Sequence, residues 1–369
     1  MLCAPGFPSS RDDSDKPFLL NHALALISAG LDVTVICPSV PGLASRQTVE
    51  GIEVVRTRYA PKRFETLAAT GSMYREARGV RSVLVLPMIA ALVVAAVRES
   101  RKDNVVALHG HWWVPGGLVA VVAGFLCKTK SVVHLHGSDS AVVTNYLMRW
   151  LSRRVMRSAT HCLAVSQDLA DWGESISSRH ILICPMPLSN KFGPSVSVPP
   201  SDGPLLAVGR LVHEKGFDVL LEAVGRMDEN DRREIVIVGD GPEREALVVQ
   251  AESYGLTLNM PGALPPDGVR DWYQKASFVV VPSRREGFGL VAAEAAMSGR
   301  AVIGSRVGGI PDIIRHGVSG LIVEPDDIDG LTHAIQTIDI SWGIVAPKNV
   351  VHLEAGGHGS FLATIYGIN

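Results

Sequence analysis

Short apolar runs alternate with longer helical patterns along the whole chain. Val33–Cys37 (VTVIC), Val105–His109, Ser131–Leu135 and His161–Val165 are β-branched or apolar and stop at Pro, Gly, His or Ser. That pattern predicts strands buried on both faces. Between them, Pro17–Ala29 and Gly116–Cys127 repeat with a period of 3.6, and strand–helix–strand order predicts parallel βαβ units. The alternation breaks at Pro185–Pro204, PMPLSNKFGPSVSVPPSDGP, which has no period and reads as a linker. It then restarts with strand Leu205–Val208, helix Phe217–Arg226, strand Ile235–Val238, helix Glu243–Tyr254, strand Phe278–Val281, helix Leu290–Ser298 and strand Ala301–Ile303. The expected organisation is α/β throughout. Residues 1–187 form one Rossmann-like parallel-sheet domain, 188–203 a linker and 204–340 a second such domain. A weakly periodic, Gly-rich tail, 341–369, packs back on the first. Two sheets of this kind are expected to face a cleft. The apolar run Val83–Val97 contains Pro87, is short for a bilayer span, and predicts a buried helix running into the polar cluster Arg98–Asn104.

Composition narrows the function classes. A chain of 369 residues suits two domains. At 47% apolar and 20% charged it is not disordered, and a formal net charge of −2 argues against a nucleic-acid binder. Five cysteines without a C-x-x-C exclude a zinc ribbon and a thioredoxin-like site, and read as reduced, buried thiols of a cytoplasmic protein. Met1-Leu-Cys-Ala-Pro is no signal peptide. The abrupt start of a first strand at Met1 leads to the expectation of a native start a few residues upstream.

In open parallel sheets, ligands sit beyond the carboxyl ends of the strands, so the loops there carry the chemistry. LLAVGRLVHEKG (205–216) places Arg210 at a strand end and Lys215 before a helix, two cations suited to a diphosphate. Taken alone, they suit a solvated turn better, since most such cations are merely solvated. VVVPSRREGFGLVAAEAAMSGR (279–300) ends a strand at Pro282-Ser283 and opens a helix after Glu286-Gly287-Phe288-Gly289. The helix end offers unpaired N–H groups and a positive dipole to an anion, and Glu286 and Glu294 supply acceptors for sugar hydroxyls. In Ala301–Pro325, Gly317 and Gly320 read as structural punctuation.

GRLVHEKG, VGDGPE (238–243), PSRREGFGLVAAEAAMSGRAVI and SRVGGIPDII…GLIVEP together resemble the GT4 family of retaining glycosyltransferases, with the two-domain GT-B fold. The similarity is dense from about Leu205 to Asp326 and thinner before it. The resemblance implies transfer of a sugar from a nucleoside diphosphate sugar, UDP- or GDP-linked, to a hydroxyl acceptor that is a glycan, a lipid-linked molecule or a small molecule. It implies that Arg210 and Lys215 bind the donor diphosphate, Glu286 contacts the transferred sugar and Glu294 the ribose. Gly287, Phe288, Gly289 and Leu290 would bind phosphate and sugar, with Leu264 near the base. No bound cofactor and no metal are expected. His136, at the end of a strand two residues after His134, resembles the family's histidine beside the reacting carbon. In this acceptor-side domain, His111, Trp112 and Trp113 either wall an acceptor site or pack the core. The N-terminal loop has Ser9-Ser10 where the family has a glycine pair, and its Asp12, Asp13 and Asp15 suit a solvated loop or a cationic acceptor. Arg149, Arg153 and Arg157 form one helical stripe, with Leu147, Trp150, Leu151 and Val155 opposite. The stripe is either a solvated face or a peripheral contact with an anionic membrane surface on its inner side. The rival readings are a nucleotide-sugar-binding partner subunit without transferase activity and a GT-B epimerase or phosphorylase.

Overall fold

The computed structural model describes residues 1–369 except 12, 14–15, 66, 68–78, 103, 194–197 and 369, together with the side chains at 79–80. Two compact units emerge, residues 1–187 with 355–369, and residues 188–354.

Unit 1 is built on an eight-stranded sheet. Its strands are β1 (Leu2–Cys3), β2 (Thr34–Pro38), β3 (Arg46–Val49), β4 (Ile52–Thr57), β5 (Ala107–His111), β6 (Lys130–Leu135), β7 (His161–Ala164) and β8 (Leu182–Ile183). They lie in the order β3-β4-β2-β1-β5-β6-β7-β8, parallel except for β3. The helices α1 (Pro17–Ser28), α2 (Val85–Ser100), α3 (Leu118–Cys127), α4 (Tyr146–Ser158) and α5 (Gln167–Ser177) connect or cover them. The β-branched runs become the buried central strands, because neighbours on both sides and helices on both faces leave no room for water. β5 runs two residues past its expected end, which draws His111 into the strand.

The edge hairpin β3–β4 was not expected. RQTV alternates polar residues and lacks the apolar run of a central strand, and only the two-residue turn Glu50–Gly51 marks it. α2 differs as well. Met88, Leu92 and Ala96 pack inward, but Leu86 is 76% exposed and Val94 67%, so the helix is not buried. With the 3-10 turn before it, the helical stretch Arg81–Ser100 is long and apolar enough to cross a membrane by length and composition.

The Gly-rich tail is structured. Ile340–Ile344 and Ala346–Val350 belong to unit 2, whereas the helix Ala355–Tyr366 belongs to unit 1 and lies against α1. A Cβ on Gly359 would stand 2.2 Å from the Ala25 carbonyl oxygen, so the two helices meet backbone to backbone. Gly359, one of the small residues that blur the helical period, is required by this close approach.

Unit 2 carries a six-stranded parallel sheet of β9 (Leu205–Val208), β10 (Ile235–Val238), β11 (Leu258–Gly262), β12 (Phe278–Val281), β13 (Ala301–Ser305) and β14 (Gly320–Val323). The order is β11-β10-β9-β12-β13-β14. The helices α6 (Phe217–Gly225), α7 (Arg244–Ser253), α8 (Pro266–Lys275), α9 (Leu290–Met297) and α10 (Ile328–Thr337) pack on it. One core joins Leu205, Phe217, Leu220, Ile237, Phe278 and Ile303.

Candidate functional site

Strand order reverses between β9 and β12, the position beyond whose carboxyl edge open parallel sheets bind ligands. Both loops that carry the candidate donor residues start there.

The two loops are locked together by backbone. The N–H groups of Arg284 and Arg285 donate to the Glu214 carbonyl at 2.9 and 3.3 Å. Gly216 sits at φ +66°, and a Cβ there would lie 2.1 Å from the Pro282 carbonyl oxygen. A side chain would suffer both the left-handed backbone and the collision. Gly216→Ala is therefore expected to cost roughly 2–5 kcal/mol, read as a lower denaturation midpoint at unchanged m-value.

This junction brings Lys215 and Glu286 together. The Lys215 ammonium donates to Glu286 Oε1, and Ser283 Oγ reaches the same oxygen at 3.4 Å. Arg210, one residue beyond Gly209, is exposed, and its side chain makes no hydrogen bond or ion pair among the described residues. Its guanidinium is free for an incoming anion. Phe288 is buried, while Gly287 and Leu290 keep part of their surface open. α9 starts after Gly289. Its first internal bond is donated by Ala293 to Gly289 at 3.1 Å, which leaves the N–H groups of the first turn without helical partners. Glu294, one turn into α9, accepts from Tyr273 Oη at 3.2 Å. Burial pushes its carboxyl up to about 7, against the pull of that hydrogen bond. Leu264 lies in the loop between β11 and α8, half-buried.

Arg284 holds the arrangement from behind. It binds Asp218 through two bonds of 2.7 Å, Asp326 at 2.6 Å and the His213 carbonyl at 2.8 Å, tying the loops after β9, β12 and β14. Sequence reading passed over it, because nothing in Arg284-Arg285 shows which arginine is paired. Tyr273 was missed too; a buried tyrosine gives no sign of its partner.

In unit 1, His136 closes β6. Its ring lies 4.5 Å from Trp112 and 5.6 Å from Phe18, centre to centre. Burial, with His134 beside it, holds it well below the ordinary histidine range, so it is neutral at pH 7. Asp139 shapes this strand end. Its carboxylate accepts from the backbone N–H of His136 and, at 2.6 Å, from that of Trp113. Burial pushes the carboxyl up to about 7 despite both bonds. A carboxylate three residues after His136 was the available signal for this anchor.

The suggested acceptor wall is corrected in part. Trp113 and His111 are fully enclosed, and the Trp113 indole donates inward to the Asp139 carbonyl at 3.2 Å. Both are core residues. Trp112 is also buried, with its indole on Ser138 Oγ at 2.8 Å. In the N-terminal loop, Asp13 accepts from the Ser9 N–H and hydroxyl at 2.8 and 2.7 Å, an internal turn bond. Asp12 and Asp15 lie outside the described residues. On α4 the buried side is Ser152, Val155 and Met156; Leu147 and Trp150, expected opposite the arginines, are exposed instead.

Comparison with known proteins accords with these observations. The family model described as Glycosyl transferase 4-like domain matches residues 17–181, and that of Glycosyl transferases group 1 matches residues 195–339. An uncharacterized glycosyltransferase of Methanocaldococcus jannaschii is 28% identical over 63% of this chain and 65% of its own length, slightly under two thirds. A putative teichuronic acid biosynthesis glycosyltransferase, TuaC of Bacillus subtilis, is 27% identical over 89% of this chain and 86% of its own. Among solved structures, Anabaena HepE in complex with UDP superposes with a TM-score of 0.70 at 18% identity, covering all of both chains. The two parallel-sheet domains and the two family models lead to one conclusion: the chain belongs to the group 1 glycosyltransferases, enzymes of the GT-B fold.

Proposed function

We propose that this enzyme moves a sugar from a nucleoside diphosphate sugar to a hydroxyl acceptor with retention at the anomeric carbon, as a member of GT4. The observation that carries the reading is the junction at the strand-order reversal of unit 2, where Lys215 and Glu286 meet in front of the open first turn of α9. Arg210, Lys215 and that turn stabilise the diphosphate as charge develops on it, which is the dominant catalytic effect in such a site. Glu286 orients the transferred sugar, Glu294 accepts from the ribose, and Gly287, Phe288, Gly289 and Leu290 contribute backbone. The neutral His136 donates to the sugar. No side chain is assigned as general base, and the leaving phosphate takes the acceptor's proton.

UDP- and GDP-sugars are the donors proposed; the related HepE fold binds UDP. A donor screen by thermal shift is expected to single out one of them. Free ligand at about 100 times its Kd adds roughly 2.7 kcal/mol of stability. Retention is read from the anomeric proton coupling of the product by NMR. An inverted product, or no shift with any UDP-, GDP- or ADP-sugar, would sink the reading.

A second proposal concerns location. α4 presents Arg149, Arg153 and Arg157 beside exposed Tyr146, Leu147 and Trp150, a cationic and aromatic surface suited to anionic headgroups. We place the enzyme in the cytoplasm, on the inner membrane face. Sedimentation with vesicles containing anionic lipid is expected to show salt-sensitive binding that weakens by about 100-fold or more when all three arginines become glutamate, at roughly 1 kcal/mol per charge. Equal binding to neutral vesicles would count against it.

A further inference from the structure

Six of the twelve histidines meet inside unit 1. His22 comes from α1, His109 and His111 from β5, His134 and His136 from β6 and its end, and His358 from the C-terminal helix. All are buried. β5 and β6 pair in parallel with His111 opposite His134, so alternate residues put four imidazoles on one face of the sheet. α1 and the C-terminal helix cover that face. Only His136 has a place in the proposed chemistry, and a core of this size has little use for so many polar rings unless their nitrogens are occupied.

The hydrogen bonds show which nitrogens carry protons. Carbonyls only accept, so His134 Nε2, 2.8 Å from the Cys184 carbonyl, is the donor there. His134 Nδ1 is then bare and accepts from His109 Nε2 at 3.2 Å, while His109 Nδ1 accepts from Tyr366 Oη at 2.7 Å. His358 is bonded to the Pro185 carbonyl and accepts at Nε2 from His22 Nδ1 at 2.9 Å. His22 Nε2 is thus a lone pair, and it has no partner among the described residues. His111 shares Nδ1 with His136 Nε2 at 3.0 Å, and its own Nε2 also has no partner among the described residues. Two enclosed, unpaired imidazole nitrogens on facing elements are a costly arrangement unless something binds them.

The ligand atoms of His22, His109 and His111 lie within 4.8 Å of one another. The His22 ring stands edge-on to His109 and His111, at 4.9 and 4.7 Å. We propose that these three histidines form a buried site for one divalent transition ion of the zinc class, bound through His22 Nε2, His111 Nε2 and His109 Nε2, with water completing a tetrahedron.

A tautomer exchange in His109 makes the third ligand without net loss of a proton. Its Nδ1–H donates to Tyr366 Oη, whose hydroxyl hydrogen turns away from that nitrogen, and Nε2 is freed for the ion by giving up its bond to His134 Nδ1. Each ligand then donates its other N–H to a fixed partner, His358, His136 and Tyr366 in turn, the outer-shell pattern that orients metal-bound imidazoles. Around zinc, with Zn–N near ~2.0–2.1 Å, nitrogens sit about 3.3 Å apart, so the rings close by about 1.5 Å on loading. Sequence spacing hid this site, because its ligands come from two elements far apart in the chain and its outer shell from two others, the end of β6 and the C-terminal helix. The site lies wholly within unit 1 and is independent of the donor loops.

The test is metal content of the full chain after chelator stripping, reloading with Zn2+ and gel filtration. About one equivalent is expected to stay bound, and Co2+ is expected to give the intense visible bands of tetrahedral nitrogen ligation without a thiolate charge-transfer band. His22→Gln should lose the ion while keeping the wild-type far-UV circular dichroism. If that variant fails to fold, Tyr366→Phe provides the second reading, with affinity expected to fall by about 10–100-fold. Retention of less than about a tenth of an equivalent by the wild-type chain would overturn the proposal and leave a hydrogen-bonded cluster. Undiminished binding by folded His22→Gln, or by Tyr366→Phe where His22→Gln does not fold, would also overturn it. So would a thiolate band, which would put Cys184 on the metal.

Discussion

Arg210→Ala is expected to lower turnover by about 10²–10³-fold, the usual cost of removing one preorganised donor from a site of developing charge, and to leave the fold intact. Arg210 lies just past Gly209 at the end of β9, is exposed, and its side chain has no partner among the described residues. Removing it therefore breaks no internal bond and leaves no buried charge behind. Lys215→Ala differs in kind. It strips Glu286 of its ion pair as well as the donor of a cation, so it is expected to reduce stability and activity together. The measurement is kcat/KM alongside a denaturant midpoint for each variant. Arg210→Ala with activity within about fivefold of wild type would remove the diphosphate role from Arg210.

Glu294→Gln is expected to separate stability from function. The folded carboxyl titrates near 7 and the ordinary value is 4.5, with burial as the main cause. Between those pH values the native chain holds a proton that the unfolded chain has lost. Its stabilising contribution is therefore complete below pH 4.5 and is lost as pH rises through 7. Glutamine does not titrate. Relative to wild type, the variant should gain about 1–3 kcal/mol between pH 4.5 and pH 8, the upper figure set by 1.36 kcal/mol per pH unit and the lower by partial exposure. At pH 8, where the wild-type carboxyl is ionised, it should also bind the donor about tenfold more weakly or worse, because an ionised acceptor for the ribose hydroxyls becomes a weaker neutral one. Thermal melts at pH 5 and pH 8 with and without donor check both halves. A stability difference that does not change with pH would mean the carboxyl is not shielded from water as described.

Much of unit 2 was legible in the sequence. Phe278–Val281 is a run of apolar, mostly β-branched residues, and it forms a strand because a central parallel strand is walled on both faces. Its end at Pro282 and the opening of α9 after Gly289 follow from local chemistry. The hairpin β3–β4 was not legible, since an edge strand needs little burial and tolerates RQTV. The C-terminal helix was obscured by its glycines, of which Gly359 serves the contact with α1 and not local propensity. The exposed face of α2 was misjudged because apolar composition alone does not say which side of a helix finds a partner.

The same division runs through the site. Arg210, Lys215, Glu286 and Glu294 were readable because strand ends and helix starts are local features and place a side chain by themselves. Which of two adjacent arginines is tied to Asp218, that Trp113 is enclosed while its neighbours close a strand end, and that Tyr273 caps Glu294 are facts of packing. By itself, the chain's pattern of short apolar runs and helical periods determined two parallel sheets and the loops at their carboxyl edges. Only the tertiary structure decided how six histidines scattered from residue 22 to residue 358 come to share one core, because contacts between distant segments depend on strand order and helix approach, which no local period encodes.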